Sequence, residues 1–247
     1  MIGPERMSPG RNAAGDESQM EVDLYVVHGV RSAPHFLEGF RTVLHRRLEE
    51  AGHAVRSETL FPYGDWNRSP AAQLREAARD LFLAERDARR SVGGRRVLER
   101  IREGGWPSEG RRIVLAGHSA GGVAAARAAE LMMLEGASAP PLVVMIGSPR
   151  FRISAPLREW TLRVCAGAPG RRGVFRPRDG IVRIAAFGGL AWPSRTRSRT
   201  EETVFVPIVG GHTDYFRDRE PWTDAGGRTN LELTLDAVRS WLTARGL

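Results

Sequence analysis

From Arg111 the chain reads RRIVLAGHSAGGVAAARAA, a β-branched apolar run that enters G-x-S-x-G and leaves it as an alanine-rich helical pattern. Strand, one serine and helix in that order form a nucleophile elbow, a sharp turn that lifts the serine hydroxyl above a parallel sheet. Gly117 and Gly121 tolerate the close backbone approach and strained dihedrals that such a turn needs. Ser119 would stand at the helix N-terminus, where free N–H groups favour developing negative charge. The pentapeptide alone is a weak pattern, because its residues are common. The strand before it and the helix after it give it weight.

The rest of the chain alternates in the same way. Val22–Val27, Ala54–Phe61, Arg112–Ala116, Pro141–Ile146, Gly173–Arg176 and Thr203–Ile208 read as strands. Pro34 to Ala51 reads as a helix, with Phe36, Leu37, Phe40, Val43, Leu44 and Leu48 at helical spacing and Gly52 as its stop. Ser69-Pro70 opens a second, Ser as cap and Pro in the first turn, with Leu74, Ala77, Ala78, Leu81 and Phe82 on one face. Gly93-Gly94 should break it before a shorter helix over 96–102. Pro156–Cys165 reads as a helix through Leu157, Trp160, Thr161, Val164 and Cys165, and Asn230–Ala244 as the closing one. This alternation predicts right-handed crossovers and a mostly parallel sheet of about six strands with helices on both faces.

With 247 residues, 41% of them hydrophobic, the chain can bury one sizeable core. Residues 21–247 read as a single domain and 1–20 as a disordered, polar N-terminal segment without the apolar core of a signal peptide. No run is long enough for a membrane span, since Ile181–Trp192 is interrupted by Arg183 and a glycine pair. A cytoplasmic location is expected. Cys165 is alone, which excludes an intramolecular disulfide and a cysteine-based zinc site. The net charge is +8, and arginine supplies all 37 basic residues. The arginines are scattered, so composition is the favoured cause and no specific nucleic-acid binding is expected. Weak association with anionic surfaces is the other reading.

A serine nucleophile needs a base, an acid that orients the base, and donors for the oxyanion. Of six histidines, His28, His35, His45 and His53 precede the serine, and His118 is the elbow's own variable residue, expected to point away from the proton transfer. His212 remains, on a glycine-rich loop beyond the last strand. Asp179 follows a short strand and precedes Gly180, and the order Ser119…Asp179…His212 is the one this architecture uses. A plain turn aspartate in Arg178-Asp179-Gly180 is the competing reading. Glu159, Glu201 and Glu202 are weaker candidates, and Asp214 is too close to His212 in sequence. The backbone N–H groups of Ala120 and Val30 are the expected oxyanion donors.

These features together resemble the α/β-hydrolase superfamily of lipase-like and esterase-like serine hydrolases. The resemblance rests on Val26-Val27-His28-Gly29, Gly117-His118-Ser119-Ala120-Gly121-Gly122, Asp179-Gly180-Ile181-Val182 and Gly211-His212, and it spans about residues 21–246. It implies a Ser–Asp–His triad, an acyl-enzyme intermediate, a small-molecule or lipid ester substrate, no metal and no organic cofactor. Two departures stand out: there is no room for an antiparallel hairpin before the first strand, and no long apolar insertion follows Gly147-Ser148-Pro149.

His28, Phe61, Tyr63 and Trp66 lie after the first two strands, where such sheets bind ligands, and are candidate substrate contacts. Packing against the second helix is the equal alternative for the last three. Ala186–Trp192 with Arg195, Arg197 and Arg199 reads either as a flap with a cationic rim or as an ordinary loop. A non-catalytic α/β-hydrolase-like binding protein is the alternative function. The complete set of Ser119, Asp179 and His212 argues against it.

Overall fold

The computed structural model describes residues 20–106, 110–169, 175–177, 179–181 and 202–247. The segment 1–19 and the proposed flap over 186–192 lie outside the described residues. Six strands, β1 (Glu21–Val27), β2 (Ala54–Leu60), β3 (Arg111–His118), β4 (Leu142–Ile146), β5 (Thr161–Pro169) and β7 (Glu202–Val206), pair in parallel. Their order across the sheet is β2-β1-β3-β4-β5-β7. Short β6 (Phe175–Pro177) runs antiparallel to the tail of β5.

Alternation along each strand divides the core into two layers. Val22, Leu24 and Val26 of β1 join Val114 and Ala116 of β3 and Leu142, Val144 and Ile146 of β4 on one face. That face is covered by α1 (Glu38–Glu50) through Phe40, Leu44 and Leu48, and by α5 (Asn230–Thr243) through Leu235, Val238 and Trp241. The intervening residues Tyr25, Val27, Leu115, Val143 and Met145 face α2 (Pro70–Phe82), α3 (Val92–Glu103) and α4 (Ala120–Leu134). A parallel sheet buried on both sides needs apolar side chains at successive positions, and these strands supply them. Helix α4 lies closest, because Ala124, Ala125, Ala126, Ala128 and Ala129 are all fully buried.

Three expectations are corrected. Pro156–Cys165 is not a helix: a short 3-10 turn covers Ala155–Trp160, and Thr161 begins β5. The apolar residues there fit both periodicities, and sheet pairing on both sides of β5 decides the matter. Gly93-Gly94 does not break a helix but lies in the first turn of α3, where the Ser91 side chain accepts the Gly94 N–H at 2.9 Å. Helix α2 turns a different face inward, burying Gln73, Ala77 and Asp80 while Leu74 and Phe82 are 63% and 66% exposed. The Asp80 carboxylate decides that rotation. It accepts the N–H groups of Val92 (2.8 Å) and Gly93 (2.7 Å) and the Tyr63 hydroxyl (2.9 Å), and buried polar groups that satisfy one another outweigh an apolar stripe left in solvent.

Candidate active site

Ser119 stands between β3 and α4 at φ 57° and ψ −129°, a conformation a non-glycine residue adopts only when its surroundings impose it. The Ser119 N–H donates to the Ile146 carbonyl across the sheet (3.0 Å), which fixes the turn from the β4 side. Gly121 lets the other side close. A Cβ there would stand 2.2 Å from the Val27 carbonyl oxygen.

Asp179 and His212, the acid and base expected from the sequence, are brought together. Asp179, fully buried past the end of β6, accepts from His212 Nδ1 at 2.8 Å. Its other oxygen accepts the Ile181 N–H at 2.8 Å, and the Tyr215 hydroxyl reaches Oδ2 at 3.2 Å. Burial alone would raise this carboxyl group. The hydrogen bond and positive charge available from His212, with the Ile181 and Tyr215 donors, outweigh burial and hold it below the ordinary 3.8. Among the described residues the Ser119 hydroxyl has no hydrogen-bond partner, and such contacts often tighten only when substrate binds.

Around this pair the loop of His212 is tied down. Asp214 accepts the Gly211 N–H (2.9 Å), so it braces the loop rather than the imidazole. Asn230, buried at the start of α5, accepts the Val209 N–H (2.8 Å) and donates to the carbonyls of Val209 (2.7 Å) and Asp214 (2.8 Å). The competing acids lie elsewhere. Glu159 belongs to the 3-10 turn, Glu202 pairs with Arg245 at 3.3 Å, and Glu201 is outside the described residues.

His118 does not point away from the base. Its ring is buried and lies 4.7 Å below that of His212, and its Nε2 is 2.9 Å from the His212 carbonyl oxygen. Burial, with the neighbouring His212 charge next, pushes the His118 imidazole down to about 3. It therefore stays neutral, and its Nε2–H donates to that carbonyl.

The turn after β1 abuts the elbow. A Cβ on Gly29 would lie 3.0 Å from the Ser119 Cβ and 3.3 Å from the Ala120 nitrogen. Neither Val30 N–H nor Ala120 N–H has an acceptor among the described residues. His28 is fully buried, its ring stacked on Phe61 at 4.2 Å with no hydrogen bond to either nitrogen, and burial lowers it to about 4. Phe61 is half-buried beside it, and Trp66 is exposed with the Arg31 guanidinium 5.0 Å from its ring centroid. Tyr63 is corrected to a core position, its hydroxyl committed to Asp80 in the second layer. Arg195, Arg197 and Arg199, read as a cationic rim, lie outside the described residues.

Sequence reasoning missed Tyr215, Asn230 and the stacking role of His118. Tyr215 was visible only as part of Gly211-His212-Thr213-Asp214-Tyr215, and nothing in the sequence around Asn230 distinguishes it from an ordinary helix start.

The parallel sheet, the strained serine between β3 and α4, and an Asp–His pair beyond the later strands define an α/β-hydrolase fold. No family model and no curated protein matches the chain. Solved structures similar to it include the NocB thioesterase domain in covalent complex with a fluorophosphonate nocardicin G analog. That pair shares 17% identity at a TM-score of 0.46 over 91% of this chain and 96% of the other. An acetyl xylan esterase shares 13% at 0.38 over 91% and 100%. The RedJ thioesterase of prodiginine biosynthesis in Streptomyces coelicolor shares 19% at 0.32, over 64% of this chain and 52% of RedJ. Among the described residues no helix is long and apolar enough to cross a membrane.

Proposed function

We propose that the protein is a serine hydrolase that cleaves a carboxylic ester or thioester through an acyl-enzyme intermediate. The observation that carries this reading is the strained Ser119 of an elbow whose preceding residue, His118, stacks under His212 of an Asp179–His212 pair bonded at 2.8 Å. His212 Nδ1–H donates to Asp179, which leaves Nε2 free to accept the Ser119 proton. The Ser119 Oγ then bonds to the substrate carbonyl carbon, and the C=O electron pair moves onto oxygen as an alkoxide. Val30 N–H and Ala120 N–H donate to that oxygen, a contribution worth about a hundredfold or more in turnover per donor. Collapse breaks the bond to the leaving group, which takes the proton from His212. Water repeats the sequence on the acyl-enzyme, giving the acid and free serine.

Labelling with a fluorophosphonate probe tests the reading. The wild-type chain should be labelled at Ser119 and should hydrolyse p-nitrophenyl esters in a panel of rising acyl length, whereas Ser119→Ala should do neither while keeping its circular dichroism. Labelling that persists in the folded Ser119→Ala variant, or a wild-type chain that neither labels nor turns over, overturns it. The second outcome would leave an α/β-hydrolase-like binding protein.

A further inference from the structure

Helix α2 is not an apparent part of the site, yet one of its side chains reaches it. Gln73 is fully buried, and each end of its amide is committed. Its Oε1 accepts the Arg31 N–H at 2.9 Å, and its Nε2 donates to the carbonyls of Asp65 (2.7 Å) and Arg68 (3.0 Å). Arg31 has φ 54°, and among the described residues it and Ser119 are the non-glycine residues at positive φ. An L-residue resists that region unless neighbours hold it there.

The turn between β1 and α1 is thus tethered twice. Upstream, the His28 N–H donates to the Leu60 carbonyl (2.8 Å); downstream, Gln73 holds the Arg31 N–H. Between the tethers, the N–H groups of Gly29 and Val30 have no acceptor among the described residues, and Gly29 lies against the Ser119 Cβ. We propose that Gln73 is a positioning residue: by anchoring the Arg31 N–H it fixes the Val30–Arg31 peptide and the Val30 Cα, and so holds the preceding Gly29–Val30 peptide, whose N–H is the Val30 donor, where an oxyanion forms. Without the Oε1 acceptor, Arg31 relaxes to negative φ and the Val30–Arg31 peptide rotates, which shifts the Val30 Cα and with it the Gly29–Val30 peptide that carries the donor. The inference rests on the serine-hydrolase reading above.

The test uses two independent ways of cutting the tether. Gln73→Met removes the acceptor at nearly constant shape. Arg31→Pro removes the N–H and enforces negative φ from the other side, whereas Arg31→Gly keeps the N–H and accepts φ 54° without strain. Active sites are titrated with a fluorophosphonate, so turnover is counted per competent serine. Gln73→Met and Arg31→Pro should each lose about tenfold to a hundredfold in kcat, up to the effect of deleting one oxyanion donor. KM should stay within about twofold, the scale of a few tenths of a kcal/mol in ground-state binding. Affinity for a phenylboronic acid, whose serine adduct places oxygen at the oxyanion position, should fall in parallel with kcat/KM. Arg31→Gly should retain wild-type turnover. Wild-type kcat per titrated site in both tether variants overturns the proposal, as does unchanged boronate affinity or an Arg31→Gly as damaged as Arg31→Pro. If Gln73→Met does not fold, the two Arg31 variants decide. A wild-type chain that fails to label sinks the hydrolase reading itself, which is a separate result.

Discussion

His118 forms the floor under His212: the rings stack at 4.7 Å and an interplanar angle of 29°, and the lower imidazole hydrogen-bonds the backbone of the upper one at 2.9 Å. The variable residue of the elbow therefore couples the serine turn to the loop that carries the base. Phe36 and Phe216 close the remaining sides of the His118 ring.

Replacing that floor should disturb the base without touching the triad. His118→Phe keeps a flat ring but removes the donor to the His212 carbonyl. One lost neutral hydrogen bond corresponds to roughly 1 kcal/mol, so kcat per titrated site should fall about three- to tenfold with KM little changed. Steady-state kinetics on a p-nitrophenyl ester check this. Wild-type kcat in the folded variant would make the stack mere packing.

The two buried histidines should contribute to the loss of stability in acid. His118 and His28 are pushed from the ordinary 6.5 down to about 3 and about 4. Below pH 6.5 the unfolded chain binds protons that the folded chain refuses, so stability is present above that pH. It is lost as pH falls towards the folded values. Each group contributes a slope of about 1.4 kcal/mol per pH unit inside its window. Chemical denaturation between pH 6.5 and 4 should show this loss, and His28→Phe should flatten it. An unchanged slope in His28→Phe would mean that the group is neutral in neither state's favour.

The strain at the elbow should be measurable as stability. Ser119→Ala keeps a Cβ at φ 57°, whereas Ser119→Gly removes it. Strain of this kind costs on the order of 1–3 kcal/mol, and glycine's extra unfolded-state freedom offsets part of the gain. Ser119→Gly should therefore melt above Ser119→Ala, with both inactive. Equal melting points would show that the turn is unstrained.

Asp179→Asn should separate orientation from structure. Asn can still accept the Ile181 N–H, but it favours the wrong His212 tautomer, and loss of this carboxylate in a serine triad lowers kcat by about 10⁴. Thermal stability should fall by far less. An active variant would return Asp179 to an ordinary turn residue.

The loop of His212 should depend on Asn230 as the β1 turn depends on Gln73. Asn230→Leu leaves the Val209 N–H and the Val209 and Asp214 carbonyls without their buried partner. An unsatisfied buried group costs roughly 1–3 kcal/mol, so this variant should be destabilised on that scale or beyond, as denaturant titration would read. A stability loss under about 0.5 kcal/mol, the level of a neutral surface change, would show that the clamp is dispensable.

The amino-acid order determined the strands whose two faces are both buried, the elbow, and which serine, aspartate and histidine stand as candidates for nucleophile, acid and base. Those follow from local rules: alternation along β1, β3 and β4, glycines where backbones meet at Ser119, and chain order for Asp179 and His212. Only the tertiary structure decided the rest. Thr161–Pro169 became a strand because β4 and β7 pair with it on either side, a condition no window of sequence contains. Helix α2 turned Gln73 and Asp80 inward because distant N–H groups at Arg31, Val92 and Gly93 needed acceptors. His118 met His212 because β3 and the loop after β7 end on the same side of the sheet, 94 residues apart in the chain. Apolar periodicity is written in neighbouring residues, whereas the pairing of buried polar groups depends on partners that only folding brings together.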